Sequence, residues 1–348
     1  MKSIKLPLSC YAKYITKAIF IIWLLAPLRA PAQSIANDSI YKVAAANLST
    51  VFLDKEKSLE KALNAIKEAS DKNADLIVFP EVFLAGYPAW SGYLNPQIDR
   101  EEANELYVEL LNNSVTVPGM ETDLLCKAAK DGNMNIVIGV HERNSATGGS
   151  IFNTILFISS GGELLGKHQK LIPTYNERLV WARGDESTFS AFDTPVGKIG
   201  GLICWENQMP LARTALYQMG IQILVSPTAD SRENWLVTMQ NAALEGGVYV
   251  ISVCAPEPKN WVPEKYRGYT FKKQKSKKDA EARAKGYFSG NSSIISPYGK
   301  ILAGPIKEEK IIYAEIDLKE TLRAKQVFDA AGHYARPDVF KLTFTGNE

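Results

Sequence analysis

Cys204 stands within GGLICWENQMPLAR, Gly200 to Arg213, directly after the run Val196 to Ile203 and directly before the polar turn Trp205-Glu206-Asn207. A thiol where a strand gives way to a turn can attack a small electrophile, and the amides of the turn can face the charge that develops. Taken alone, Cys204 reads equally well as a small buried hydrophobe. Other residues bear on the choice. Glu81 follows Phe79-Pro80 at the end of the apolar segment DLIVF, and open α/β folds place ligands at the carboxyl ends of strands. Lys170 lies in Lys167-His168-Gln169-Lys170-Leu171-Ile172-Pro173, and Glu177 follows seven residues later. Singly, these are a loop cap, a solvated lysine and a salt-bridge partner for Arg178 or Arg183. Jointly they are the parts of a thiol hydrolase: a nucleophile, a carboxylate that takes its proton and later activates water, and a cation that holds the anionic intermediate. A cysteine–histidine pair is the competing arrangement, with His168 as the candidate closest to a motif.

These groups require a scaffold, and the hydrophobic pattern predicts one. Strands are expected at Tyr41 to Leu48, Ala74 to Phe79, Asn135 to Val140, Lys198 to Cys204, Gln222 to Ser226 and Val248 to Val253. Ile151 to Ser159 and Glu163 to Lys167 read as a hairpin turning at Gly161-Gly162. Helices are expected at Lys55 to Lys72, Glu101 to Asn112, Glu121 to Asp131, Leu211 to Met219 and Trp235 to Glu245. In the first of these, Leu59, Ala62, Leu63, Ile66 and Ala69 share one face. Strands near Ser292 to Ser296 and Ile311 to Glu315 are expected to be the last regular elements. Strand–helix alternation mixed with hairpins predicts an α/β protein with helices covering mixed sheets. No internal repeat is present.

The chain has 348 residues, 46% hydrophobic and 22% charged, which suits one large globular α/β domain or two small ones. Its N-terminus differs. Lys2, Lys5, Lys13 and Lys17 precede the apolar stretch Ala18 to Leu28, and Ala30-Pro31-Ala32 follows. This is the pattern of a secretory signal peptide over residues 1–32, too short in its apolar part to span a bilayer comfortably. Export to a periplasm or the medium is the expectation, with a cytoplasmic location if translation starts further along. Removing the segment takes away five positive charges and no acids, so the formal charge falls from +2 to −3. That balance suggests neither nucleic acid nor a membrane as a partner of the mature form. Cys126, Cys204 and Cys254 then remain, too few and too scattered for a disulfide framework. No CxxC or HxxxH spacing supports a zinc site. Pro256 to Lys285 carries ten Lys or Arg against four acids and reads as a solvated basic insertion.

The motifs also carry a resemblance. The stretch around Cys204 resembles the cysteine signature of the nitrilase superfamily, and its CWEN form resembles the nitrilase and cyanide-hydrolase branch. FPEVFLAGYP, Phe79 to Pro88, is similar to the glutamate motif of that branch, and KHQKLIPTYNERLVWARGD, Lys167 to Asp185, to its lysine motif with the following loop. PTADSRENW, ALEGGVYVIS and the C-terminal GHYARPDVF extend the likeness in family order.

The resemblance implies a four-layer α-β-β-α sandwich spanning residues 40–340 as one domain. It implies Cys204 as nucleophile, Glu81 as general base, Lys170 as the stabilising cation and Glu177 as a second glutamate that positions groups. The backbone amide of Trp205 would join Lys170 in holding the intermediate, and His333 would support the site or the assembly. It implies a small nitrile as substrate, no metal or organic cofactor, and a homo-oligomer. Lys170 beside the thiol is expected to favour the thiolate. Trp90, Tyr93, Trp181 and Trp205 are candidates to line an apolar substrate pocket, or are core packing. The alternatives are an amidase or carbamoylase, a cyanide hydrolase, and a non-catalytic binding protein on the same fold.

Overall fold

The computed structural model describes residues 39–92, 94, 97–257 and 289–343. The predicted signal segment, Tyr93 and most of the basic insertion lie outside the described residues.

The strands form two six-stranded sheets. The first contains β1 (Ile40–Asn47), β2 (Leu76–Val78), β3 (Asn135–Arg143), β4 (Ile151–Ile158), β5 (Leu164–Gln169) and β12 (Lys310–Asp317), in the order β12-β1-β2-β3-β4-β5. The second contains β6 (Ala191–Thr194), β7 (Gly197–Gly201), β8 (Ile223–Thr228), β9 (Tyr249–Cys254), β10 (Ser292–Ile295) and β11 (Ile301–Ile306), in the order β11-β10-β9-β8-β7-β6. In each sheet the central pairs are parallel, β1–β2–β3 and β7–β8–β9, and the outer pairs are antiparallel.

Side-chain alternation along the strands sets the layers. On β1, Val43 and Ala45 pack with Ile199, Val225 and Ile251 of the other sheet. Their neighbours Ala44 and Ala46 pack with Leu59, Ala62 and Ile66 of α1 (Lys55–Asp71) and with Leu125 and Ala129 of α3 (Met120–Asp131). A strand buried on both faces must be apolar throughout, which is why the central strands read as continuous runs. The second sheet buries Leu224 and Val250, with Leu202 just past β7, against Leu216 of α4 (Pro210–Gln218) and Trp235 and Met239 of α5 (Glu233–Gly246). The result is the four-layer α-β-β-α sandwich. A further helix, α2 (Arg100–Asn112), buries Leu106 and Leu110 in a smaller cluster with Val82, Trp90 and Trp181.

The structure departs from the sequence reading in four places. β7 ends at Gly201 rather than reaching Cys204, because Cys204 has left-handed backbone (φ 52°) and opens a short 3-10 turn, Cys204–Gln208. β6 and β11 were not expected. Both are sheet edges, and β11 contains Gly304-Pro305, a dipeptide that reads as a turn but is tolerated where no neighbour strand needs the N–H. A helix, α6 (Lys319–Val327), follows the strand expected to be last; it is polar and buries only Thr321 and Ala324, so its apolar period is faint.

Candidate active site

The site forms where strand ends of the two sheets meet. Past β2, the chain runs along β3: Phe79 N–H donates to Val137 O at 2.8 Å, and Leu84 bridges to Val140. Between these contacts the Glu81 turn lies on Gly139. A Cβ at Gly139 would stand 2.4 Å from both Pro80 O and Val82 N, so only glycine lets the turn settle here. Val82 takes φ 44°, an uncommon conformation for a β-branched residue.

Lys170 follows β5 directly, and its N–H donates to Asn153 O at 2.8 Å. The loop that backs it closes through Gly184, whose N–H donates to Lys170 O at 3.0 Å; a Cβ there would stand 2.5 Å from Gln169 O. Glu177 sits in a 3-10 turn, Tyr175–Leu179, and its carboxylate caps that turn by accepting from Thr174 N–H at 2.6 Å.

These elements bring the four side chains together. Lys170 Nζ donates to Glu81 Oε1 at 2.9 Å and to Glu177 Oε2 at 2.7 Å, and the side chains of Lys170 and Glu81 have no exposed surface. Asn153 Nδ2 also donates to Glu81 Oε1, at 2.7 Å. Glu81 Oε2 is buried and has no partner among the described residues, so one oxygen is anchored and the other is available for a proton. Tyr87 OH donates to Glu177 Oε1 at 2.7 Å. Trp181 places its ring 5.5 Å from Lys170 Nζ and donates from Nε1 to His141 Nδ1 at 3.1 Å. His141 therefore carries its hydrogen on Nε2, which faces Gly86 O at 2.9 Å.

Cys204 is buried, beside the Thr228 side chain, which favours its ionised form, and within the fields of Glu81, Lys170 and Glu177. Burial and then Glu81 push its thiol well above the usual cysteine value, and Lys170 only partly opposes them. Lys170 does favour the thiolate, as expected, but burial and Glu81 outweigh it, so the net effect of the site is to raise the thiol. Burial also raises the Glu81 carboxyl, against the pull of Lys170. Lys170 is held charged, because Glu81 and Glu177 outweigh its desolvation. A protonatable carboxyl, a fixed cation and a thiol in one buried cluster can move a proton as a bond forms.

A small cleft reaches this cluster, lined by Thr50, Glu81, Tyr87, Thr228, Ala229, Ala255, Pro256 and Glu257. Trp90, Trp181 and Trp205 are not among the residues lining that cleft. Trp90 and Trp181 are core residues. Trp205 is 40% exposed, donates to Asp230 Oδ2 at 2.9 Å and stacks beneath Arg232. His333 is exposed beside the Tyr334 ring and makes none of the contacts of the cluster. His168 is buried but faces Glu206, with Nε2 3.0 Å from Oε2, which removes it as the base for Cys204. Tyr87, His141, Asn153 and Thr228 were missed. The available signal was a tyrosine inside the glutamate motif and single polar residues within otherwise apolar strands. Among the described residues, no group of His, Cys, Asp or Glu is arranged to hold a metal ion.

Two back-to-back sheets with an acid, an amine and a thiol gathered at their ends define a hydrolase class, and residues 42–326 match the profile of carbon-nitrogen hydrolases. The chain belongs to that family. It is 40% identical over 315 residues to Nitrilase 2 of Arabidopsis thaliana, covering 90% of this chain and 91% of that one. It is 38% identical to an aliphatic nitrilase of Sinorhizobium fredii, covering 87% of this chain and 94% of the relative. Among solved structures, a carbon-nitrogen hydrolase of Helicobacter pylori superposes with a TM-score of 0.63 at 21% identity, over 86% of this chain and 96% of that one, a likeness of fold.

Proposed function

We propose that this protein is a nitrilase, adding two waters to a nitrile to give a carboxylic acid and ammonia. The observation that carries the reading is the Glu81 carboxyl: one oxygen pinned by Lys170 and Asn153, the other unpartnered, in the same buried cluster as Cys204. Relatives named as nitrilases at about this level of identity over most of the chain support the substrate class. Retention of Glu81, Lys170, Glu177 and Cys204 argues against a binding protein.

The Cys204 sulfur attacks the nitrile carbon as its proton passes to Glu81 Oε2. The thiol is thus ionised only as the C–S bond forms, which suits its raised pKa. Glu81 returns the proton to nitrogen, giving a thioimidate. Glu81 then takes a proton from water as the water adds to that carbon. The tetrahedral adduct expels ammonia once the nitrogen is fully protonated, leaving a thioester. A second water, activated the same way, releases the acid and restores the thiol. Lys170 and the amide of Trp205, at the start of the turn after the nucleophile, are the donors for the negative charge of each adduct. Glu177, held by Tyr87 and Thr174, fixes Lys170 between the two carboxylates.

The test is Cys204→Ala, assayed for ammonia release from a nitrile panel and from the matching amides. We expect loss of at least about a thousandfold in nitrile turnover with the fold retained. Turnover confined to amides, or turnover surviving in the variant, would refute the reading. We further read residues 1–32 as an export signal, supported by their charge and apolar pattern and tested by N-terminal sequencing of the secreted protein. Assembly into a homo-oligomer is supported by the exposed apolar side chains Leu211, Val237 and Leu244 on α4 and α5, and is tested by light scattering.

A further inference from the structure

We propose that Glu206 is a positioning residue that sets the separation of Cys204 from Lys170 across the two sheets; this rests on the roles assigned above to those two residues. Glu206 Oε2 accepts from Ile203 N–H at 2.7 Å, and Oε1 accepts from Leu171 N–H at 2.7 Å. Ile203 directly precedes the nucleophile, and Leu171 directly follows the lysine. His168 Nε2 lies 3.0 Å from Oε2 and 3.2 Å from Oε1, and both side chains are only 1% exposed.

The bond to Ile203 alone would be an ordinary cap of the 3-10 turn that begins at Cys204. A cap does not need the second oxygen to cross to the other sheet. Lys170 extends from β5 in the first sheet, and Cys204 lies beyond β7 in the second. Elsewhere the sheets meet largely through apolar side chains such as Val43, Val137, Phe157, Ile199 and Val225. Apolar contact is non-directional and leaves small sliding motions inexpensive. Hydrogen bonds to a carboxylate are short and directional, so Glu206 clamps together the backbone segments that carry the amine and the thiol. Asn207 secures the far side of the same turn, its Nδ2 lying 2.9 Å from each of Leu202 O, Cys204 O and Ser226 Oγ. His168 Nδ1 has no partner among the described residues, so the histidine acts through Nε2 as a third donor that orients the carboxylate.

The test is Glu206→Gln, which keeps the shape but turns an amide NH2 toward one of the two backbone donors. In the folded variant, kcat for a nitrile is expected to fall by about 10- to 100-fold with KM changed little, the size of effect seen when reacting groups are displaced by about an ångström. The pH profile of Cys204 alkylation by iodoacetamide is expected to move to higher pH as Lys170 recedes. If Glu206→Gln does not fold, Glu206→Asp, which withdraws both oxygens by one methylene, is read in the same assays. A folded variant with lowered thermal stability but wild-type kcat and an unmoved alkylation profile overturns the proposal, leaving Glu206 a structural residue. Alkylation needs no nitrile, so a protein inactive on nitriles would sink the proposed function while this measurement still decided the role of Glu206.

Discussion

Lys170 Nζ lies 2.9 Å from Glu81 Oε1 with neither side chain exposed, and the same amine is shared with Glu177. One cation therefore serves two buried carboxylates. Replacing it with methionine leaves both acids without a counter-charge. Lys170→Met is expected to lose about 3–5 kcal/mol of stability along with its activity. The buried Glu81 carboxyl, already raised against the pull of Lys170, would then titrate higher still in the folded variant than in the unfolded chain, so protons bind preferentially to the folded form. Its deficit against wild type should narrow as pH falls from 8 to 5, measured by urea unfolding. A deficit independent of pH would mean that the acids are compensated by some other group.

Glu81→Gln keeps the size of the side chain and an acceptor for Asn153 and Lys170, but cannot take a proton. Nitrile turnover is expected to fall by about 100- to 10,000-fold with little change in melting temperature. A normal rate would place the base elsewhere.

His141 is expected to make stability sensitive to acid. Burial lowers its pKa to about 4, partly opposed by its bond to Gly86 O, whereas the unfolded chain binds that proton near pH 6.5. The unfolded state thus holds more protons between those values, and stability should fall as pH drops from 6.5 to 4, at a slope approaching about 1.4 kcal/mol per pH unit. His141→Gln can keep a donor for Gly86 O and an acceptor for Trp181 Nε1, so unfolding measured across this window should show a flatter profile. An identical slope in the variant would assign the acid sensitivity to other groups.

Gly139→Ala should be far more damaging than one methyl suggests. The new Cβ meets backbone atoms of the Glu81 turn at 2.4 Å rather than a mobile side-chain end. We expect about 1–3 kcal/mol of destabilisation and a larger fractional loss of kcat, because the carboxyl rides on the displaced turn. Wild-type kinetics would show that the turn can relax without moving Glu81.

Much of this site was legible in the sequence because its parts are local. Glu81 follows an unmistakable apolar run, Lys170 follows a hairpin strand announced by its Gly161-Gly162 turn, and Cys204 follows a shorter segment broken by glycines. Helices covering mixed sheets were also readable, since apolar strands alternate with amphipathic helices such as Lys55–Asp71, whereas the four layers followed only from the family resemblance. What escaped was information held between elements. Asn153 looks like a stray amide in β4 until the fold points it at Glu81, and Tyr87 reads as loop aromatic until it meets Glu177. The net shift at Cys204 escaped for a related reason: adjacency to a lysine is visible in motifs, whereas exclusion of water is a property of the assembled interior. The edge strands β6 and β11 and the helix Lys319–Val327 were lost because half-exposed elements carry weak patterns.

The left-handed backbone at Cys204 has an evolutionary corollary. That conformation suits glycine, and any residue bearing a Cβ occupies it at a cost of about 1 kcal/mol or more. Thermal robustness alone would favour glycine here, so this chain holds its sulfur at a cost in stability that only a demand for turnover offsets. In lineages that relax that demand, position 204 is where the fold has something to gain by forgetting its chemistry.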